Sequence, residues 1–154
     1  KKDFQKIADY IIVDSAAGLG QEVMSAINLA DEVIVVTNPE MPALTDALKI
    51  IKLVEEKNKP ISGVIMTRVR KNNSEMKPDA VKDMLEIPIL GMVPEDISIQ
   101  EALSKKDAVV HISPKSKAAL AYKEIAAKIL DIDYDSDTEA EGFWSRIAKA
   151  FGFG

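Results

Sequence analysis

The sequence predicts an α/β fold: a mostly parallel, open sheet with helices on both faces. Two observations predict it. Five short runs, "YIIV" (10–13), "VIVV" (33–36), "GVIM" (63–66), "ILGMV" (89–93) and "AVVHI" (108–112), are rich in Val and Ile and do not alternate with polar residues. Strands buried on both faces read this way, and such strands belong to parallel sheets. Between the runs lie segments with apolar residues at helical spacing, and strand alternating with helix is the pattern of doubly wound domains. Composition agrees: 154 residues suffice for one domain with a core, and 47% hydrophobic with 29% charged residues is the balance of a folded chain.

In chain order, the first predicted strand, 10–13, ends in Asp14, followed by Ser15, two Ala, Gly18 and Gly20. Ligands of open α/β sheets bind beyond the carboxyl ends of the strands. A carboxylate there can hold a hydrated Mg²⁺ beside phosphates, and the small residues let backbone approach a ligand closely. The alternative is an Asp that caps the next helix or turn. Residues 21–30 form a short helix candidate. Strand 33–36 releases Thr37, Asn38, Pro39 and Glu40, and residues 43–57 place Leu44, Ala47, Leu48, Ile51 and Val54 on one helical face. Strand 63–66 releases Thr67 and Arg68, and strand 89–93 releases Pro94, Glu95 and Asp96. Helices are expected over 75–86, 98–105 and 116–130. Each polar cluster by itself is a turn or a cap; together they outline one site at one edge of the sheet. His111, the only histidine, lies in the run 108–112 with no second candidate ligand nearby and reads as structural.

Residues 131–141, "DIDYDSDTEAE", are mostly acidic and read as a flexible linker or solvated loop. The last segment, 142–154, holds Phe143, Trp144, Phe151 and Phe153, leaving only Phe4 among the Phe and Trp residues elsewhere. On a helical wheel Phe143, Trp144, Ile147 and Phe151 share one side, with Arg146 and Lys149 mostly off it. That is the pattern of an interfacial helix, with aromatics entering the headgroup boundary and cations meeting anionic lipid. A last core helix, or one docked on a partner protein, shows a similar stripe.

The chain carries a net charge of −5. The last thirteen residues bring two cations and no acid, which leaves −7 on residues 1–141, a poor surface for nucleic acid. Cysteine is absent, so no disulfide frame or thiolate metal site exists. No apolar run reaches the length of a membrane span and no signal peptide opens the chain. The first residue is Lys, as expected of a sequence beginning inside a longer protein.

The segments "DYIIVDSAAGLG", "ADEVIVVTNPE", "ALTDALKII", "GVIMTRV" and "ILGMVPED", in this order and followed by the amphipathic tail, resemble the C-terminal part of MinD-type ATPases, in the MinD/ParA family of deviant Walker P-loop ATPases. The resemblance implies a P-loop NTPase-like fold lacking its N-terminal P-loop portion, with residues 1–130 as ATPase domain, 131–141 as linker and 142–154 as membrane-targeting helix. It implies that Asp14 is the Walker-B acid near Mg²⁺, through water, and that Gly18 responds to the γ-phosphate; Ala16 stands where the family usually has Pro. Thr67 and Arg68 match the segment beside the adenine, where many relatives carry Asn-Arg. Pro94, Glu95 and Asp96 match the loop over the base, and Glu40 a segment facing nucleotide and dimer partner. The implied cofactors, in the intact protein, are ATP and Mg²⁺. The implied partners are a second copy when ATP is bound, an anionic membrane surface and a protein of the division or positioning machinery, in a cytoplasmic protein peripheral to the inner face of the membrane. Phe143, Trp144, Arg146, Ile147, Lys149 and Phe151 would make the membrane contact.

One part of the family pattern is missing. No G-x-x-x-x-G-K-[ST] occurs, nor any Gly-Lys pair. Phosphoryl transfer rests on positioning and charge stabilisation by that cradle, so the chain alone is expected not to hydrolyse ATP. Truncation is the expected reason. A ParA-like partition ATPase and a non-catalytic membrane-tethered adaptor are the alternative functions.

Overall fold

The computed structural model describes residues 8–70, 72 and 74–134. Its elements run α1 (Gln21–Leu29), β1 (Val33–Thr37), α2 (Met41–Glu56), β2 (Ile61–Val69), α3 (Pro78–Leu85), β3 (Ile89–Pro94), α4 (Ile97–Ser104), α5 (Val109–Ile112) and α6 (Lys117–Ile129). They fall into two compact units, one of Asp31–Asp133 and one that includes residues 8–30.

In the larger unit the three strands form a parallel sheet in the order β1-β2-β3. Parallel neighbours need crossovers, and the sequence supplies them with defined starts. Pro lies in the first turn of both α2 and α3, where its missing N–H costs nothing. Ser116 caps α6, its hydroxyl accepting from the Ala119 N–H at 3.2 Å. Alternation along β2 divides the core. Val64 and Met66 face α2 and α3, meeting Leu44, Ala47, Ile51, Val81 and Leu85. Ile65 faces the other way, with Val93, toward Ala118 and Ile125 of α6. Helices thus cover both faces, as the apolar, non-alternating strands require. Gly91 allows the close fit of α6, because a Cβ there would run into the Ile125 side chain. Leu44, Val64, Val54 and Val81 are wholly buried, each burial contributing roughly 1.5–3 kcal/mol.

Two expected strands are corrected. The run 108–112 is helical: α5 occupies Val109–Ile112 and packs Val109, Val110 and Ile112 with Ala102 and Ala119. A short apolar run cannot by itself distinguish strand from buried helical turn, and local bonds decide here. Asp107 accepts from the Ala108 N–H at 2.7 Å and pairs with His111 Nδ1 at 2.9 Å, one helical turn on. His111 is exposed rather than inside a strand. The His111 bond holds the Asp107 carboxyl below its usual range.

The run 10–13, in the smaller unit, forms no strand among the described residues. Ile12 is 78% exposed, and Tyr10, Ile11 and Val13 are exposed as well. A strand exists through ladder partners, and the described residues of the smaller unit offer this run no second strand. α1 forms as expected, with Val23 and Ile27 buried one turn apart and the Met24 N–H bonded to the Gly20 carbonyl at 3.2 Å.

Candidate functional site

The carboxyl ends of β1, β2 and β3 lie side by side in a parallel sheet, so the residues they release share one edge. After β1, the Asn38 side chain accepts from the Glu40 N–H at 3.3 Å, an Asx-type turn that leads into α2. Pro39 is fully buried there, and its carbonyl accepts from the Met76 N–H at 3.0 Å. The loop after β2 is thereby stitched to the end of β1. Thr67 donates its hydroxyl to the Thr37 carbonyl at 3.2 Å, tying β2 to β1 at the same level.

At Thr67–Arg68 the ladder breaks. Met66 pairs with Met92, but the next pair is Val69 with Pro94, so β2 spends one more residue than β3. This is a β-bulge, and Arg68 within it has a φ of +54°. A left-handed backbone on a non-glycine residue costs of order 1 kcal/mol and is concentrated at functional positions. Its effect is to turn the exposed Arg68 away from the alternation of the strand.

Arg70 follows one residue after β2 and was not singled out by the sequence. Its guanidinium grips Glu95 with two bonds, Nε to Oε2 at 2.6 Å and Nη2 to Oε1 at 3.2 Å, and lies 3.6 Å from Glu40. Its backbone N–H is accepted by both carboxylate oxygens of Glu75, at 2.9 and 3.0 Å. The Glu95 N–H bonds the Val69 carbonyl at 3.1 Å. One arginine therefore joins the segments released by all three strands. Its bond to Glu95 holds that carboxyl below the usual carboxylate range. The only signal in the sequence is the pair of arginines two apart in "TRVR", which a solvated strand end explains equally well.

Asp96 serves the scaffold. Its Oδ1 accepts from the Ser98 N–H at 3.0 Å and the Ser98 hydroxyl at 2.7 Å, capping α4. Its Oδ2 accepts from the Ala118 N–H at 3.2 Å, fastening α6. The Ser98 bonds, aided by Ala118, lower its pKa.

The structure brings together Glu40, Thr67, Arg68, Pro94, Glu95 and Asp96, the six expected at this edge. Asp14 and Gly18 lie in the smaller unit. Asp14 is exposed, and Gly18 has a φ of +97°, a conformation that only glycine adopts without strain. Phe143, Trp144, Arg146, Ile147, Lys149 and Phe151 fall outside the described residues, as does most of the linker 131–141. No described helix is long and apolar enough to cross a membrane, and no group of three or more His, Asp or Glu among the described residues could hold a metal.

The donor set of the three-strand edge suits an uncharged planar group better than a polyphosphate. Glu40, Glu75 and Glu95 lie about it, and of its two arginines Arg70 is engaged by these carboxylates. Arg68 is exposed on its bulge, and a guanidinium plane stacks well on a flat ring.

The sequence profile of the ParA family, described as NUBPL iron-transfer P-loop NTPase, matches residues 2–130. An uncharacterized ATP-binding protein of Methanocaldococcus jannaschii is 37% identical over 150 residues, covering 96% of this chain and 57% of that protein. The septum site-determining protein MinD of Pyrococcus horikoshii, solved with Mg-ADP, superposes with a TM-score of 0.71 at 34% identity, over 75% of this chain and 48% of that one. MinD in the MinC:MinD cell division complex of Aquifex aeolicus gives a TM-score of 0.78 at 26% identity, over 87% and 57%. The chain thus spans about half the length of the relatives it matches.

Proposed function

The chain belongs to the ParA family of P-loop NTPases, and from that membership we propose that it is the base-binding and membrane-tethering part of a MinD-type ATPase, which dimerises with ATP and positions division or related machinery at a membrane. One observation carries the reading: three parallel strands release Glu40, the Thr67–Arg68 bulge and Pro94–Asp96 at a single edge, where ligands of such sheets bind.

In this reading the edge holds the adenine, with Arg68 against its face and the Pro94–Asp96 loop over it. In the intact protein, where a phosphate cradle is present, Asp14 would hold Mg²⁺ through water and Gly18 would follow the γ-phosphate; the 154 residues alone are not expected to do either. The Mg-ADP of the Pyrococcus horikoshii protein supports the choice of nucleotide. The phosphate cradle is absent from this sequence, so no catalytic step is assigned to this chain, and the purified 154 residues are expected to turn over no ATP above background. The MinC:MinD complex supports a protein of the division machinery as a partner.

The tail supplies the membrane contact. About ten helical residues are too few to be stable in water, so one copy binds weakly and two copies on an ATP dimer bind well through effective concentration. ATP then recruits the protein to the membrane and hydrolysis releases it to the cytoplasm. Trp144 is the only tryptophan, and its fluorescence tests this directly. With vesicles containing anionic lipid it should shift to the blue. Phe151→Glu should abolish most of the shift, and loss of Arg146 and Lys149 should weaken anionic binding by about 1 kcal/mol per cation. Fusion to a constitutive dimer should raise vesicle affinity well beyond twofold. Emission already blue-shifted without lipid and unchanged by vesicles would mean a docked helix and end the membrane reading.

A further inference from the structure

We propose that Arg70 is a positioning residue for the bound base: paired with Glu95, it fixes the Pro94–Asp96 loop in the shape that receives an adenine. The inference rests on the nucleotide reading of this edge and adds to it a residue that touches no ligand itself.

The register explains how Arg70 reaches its partner. Ile65 pairs with Gly91 and Met66 with Met92. Had that register continued, Val69 would lie opposite Glu95 and Arg70 opposite Asp96. The bulge at Thr67–Arg68 resets it, so Val69 lies opposite Pro94, and one step on Arg70 faces Glu95. The strained Arg68 therefore does two things with one extra residue: it presents its own side chain at the edge, and it brings the next arginine onto the carboxylate of the facing loop. The grip is bidentate, at 2.6 and 3.2 Å, so it sets the orientation of Glu95 as well as its place.

Two further contacts fix Arg70 itself. Its backbone N–H lies between the oxygens of Glu75, and Glu40 stands 3.6 Å from its guanidinium. Without the guanidinium, Glu40, Glu75 and Glu95 would face one another uncompensated, and like charges push apart. The loop most exposed to that repulsion is 94–96, the one the base must meet. Because Arg70 and Glu95 are both about half exposed, the pair adds little to global stability. Its consequence is local geometry, and a small misplacement at a binding loop is expensive in affinity.

The test is a titration of the 154-residue chain with adenosine, followed by the backbone amide spectrum, comparing wild type with Arg70→Ala, Arg70→Lys, Glu95→Gln and the charge-swapped pair Arg70→Glu with Glu95→Arg. Lys49→Ala breaks an exposed pair with Asp46 on α2 and serves as control. Wild type should shift the amides of Thr67, Arg68, Glu95 and Asp96. Arg70→Ala and Glu95→Gln should weaken adenosine at least about fivefold with an unchanged melting temperature. Arg70→Lys should recover part of the loss, since it restores charge without the fork, and the swap should recover more than either single change. Lys49→Ala should match wild type. Wild-type affinity in both Arg70→Ala and Glu95→Gln overturns the positioning role while leaving the edge as the base site. No response of wild type to adenosine overturns the base site and the role together.

Discussion

Residues 31–133 and residues 8–30 carry equally apolar runs and treat them oppositely. "VIVV" and "GVIM" become paired strands with Val35, Val64 and Met66 buried, while "YIIV" forms no strand and leaves Ile12 mostly exposed. The runs differ little in composition. What differs is the company: within the larger unit β1, β2 and β3 supply one another's ladders and two helical layers, and within the smaller unit the described residues around the first run supply no strand. Apolar sequence states a demand for burial, and only neighbouring elements meet it.

The largest effects should separate the two regions. Leu44→Ala removes a fully buried side chain facing β1 and β2 and should destabilise by about 2–5 kcal/mol in denaturant melts. Ile12→Ala should change stability by less than about 0.5 kcal/mol. Comparable losses at both positions would erase the distinction. Ile12→Lys should reduce self-association on size exclusion, because an exposed apolar run invites pairing with another chain.

A smaller effect sharpens the account within the larger unit. Asp96→Ala frees the N-cap of α4 and the Ala118 N–H together, and should cost about 1 kcal/mol or somewhat more. The pH dependence has a definite sign. The folded-state pKa of Asp96 is lowered, so its stabilisation is complete above the unfolded value of about 4 and is lost as pH falls through the folded value. Melts from pH 6 downward should show this limb in wild type and a flatter one in Asp96→Asn. Equal slopes would remove Asp96 from the scaffold.

Much of the larger unit was legible in the sequence. Strands 33–36, 63–66 and 89–93 and the helices at 43–57 and 116–130 appear close to where periodicity puts them. The edge residues follow from strand ends, because a parallel sheet fixes which end releases them. Three features were not legible, each for a physical reason. The 108–112 run became α5, with Asp107 bonded to the Ala108 N–H and to His111 one turn on, local bonds that apolar composition does not record. The 10–13 run failed as a strand because pairing is a property of two segments. Arg70 escaped notice because its importance depends on a bulge that shifts register by one residue, and register is invisible until both strands are placed.

The measurement closest to the central claim compares two ligands on one chain. The edge in 31–133, proposed as the base site, carries the carboxylates of Glu40, Glu75 and Glu95 around Arg70, and no phosphate cradle exists in the sequence. Titrating the 154-residue chain with adenosine and with Mg·ATP should therefore perturb the same amides, Thr67, Arg68, Glu95 and Asp96, with dissociation constants within about threefold of each other, and should leave residues 14–20 unmoved. Binding of Mg·ATP tenfold or more tighter than adenosine, with shifts at Asp14–Gly20 and loss of the difference in Asp14→Ala, would contradict the account and reveal a phosphate site formed by this chain itself.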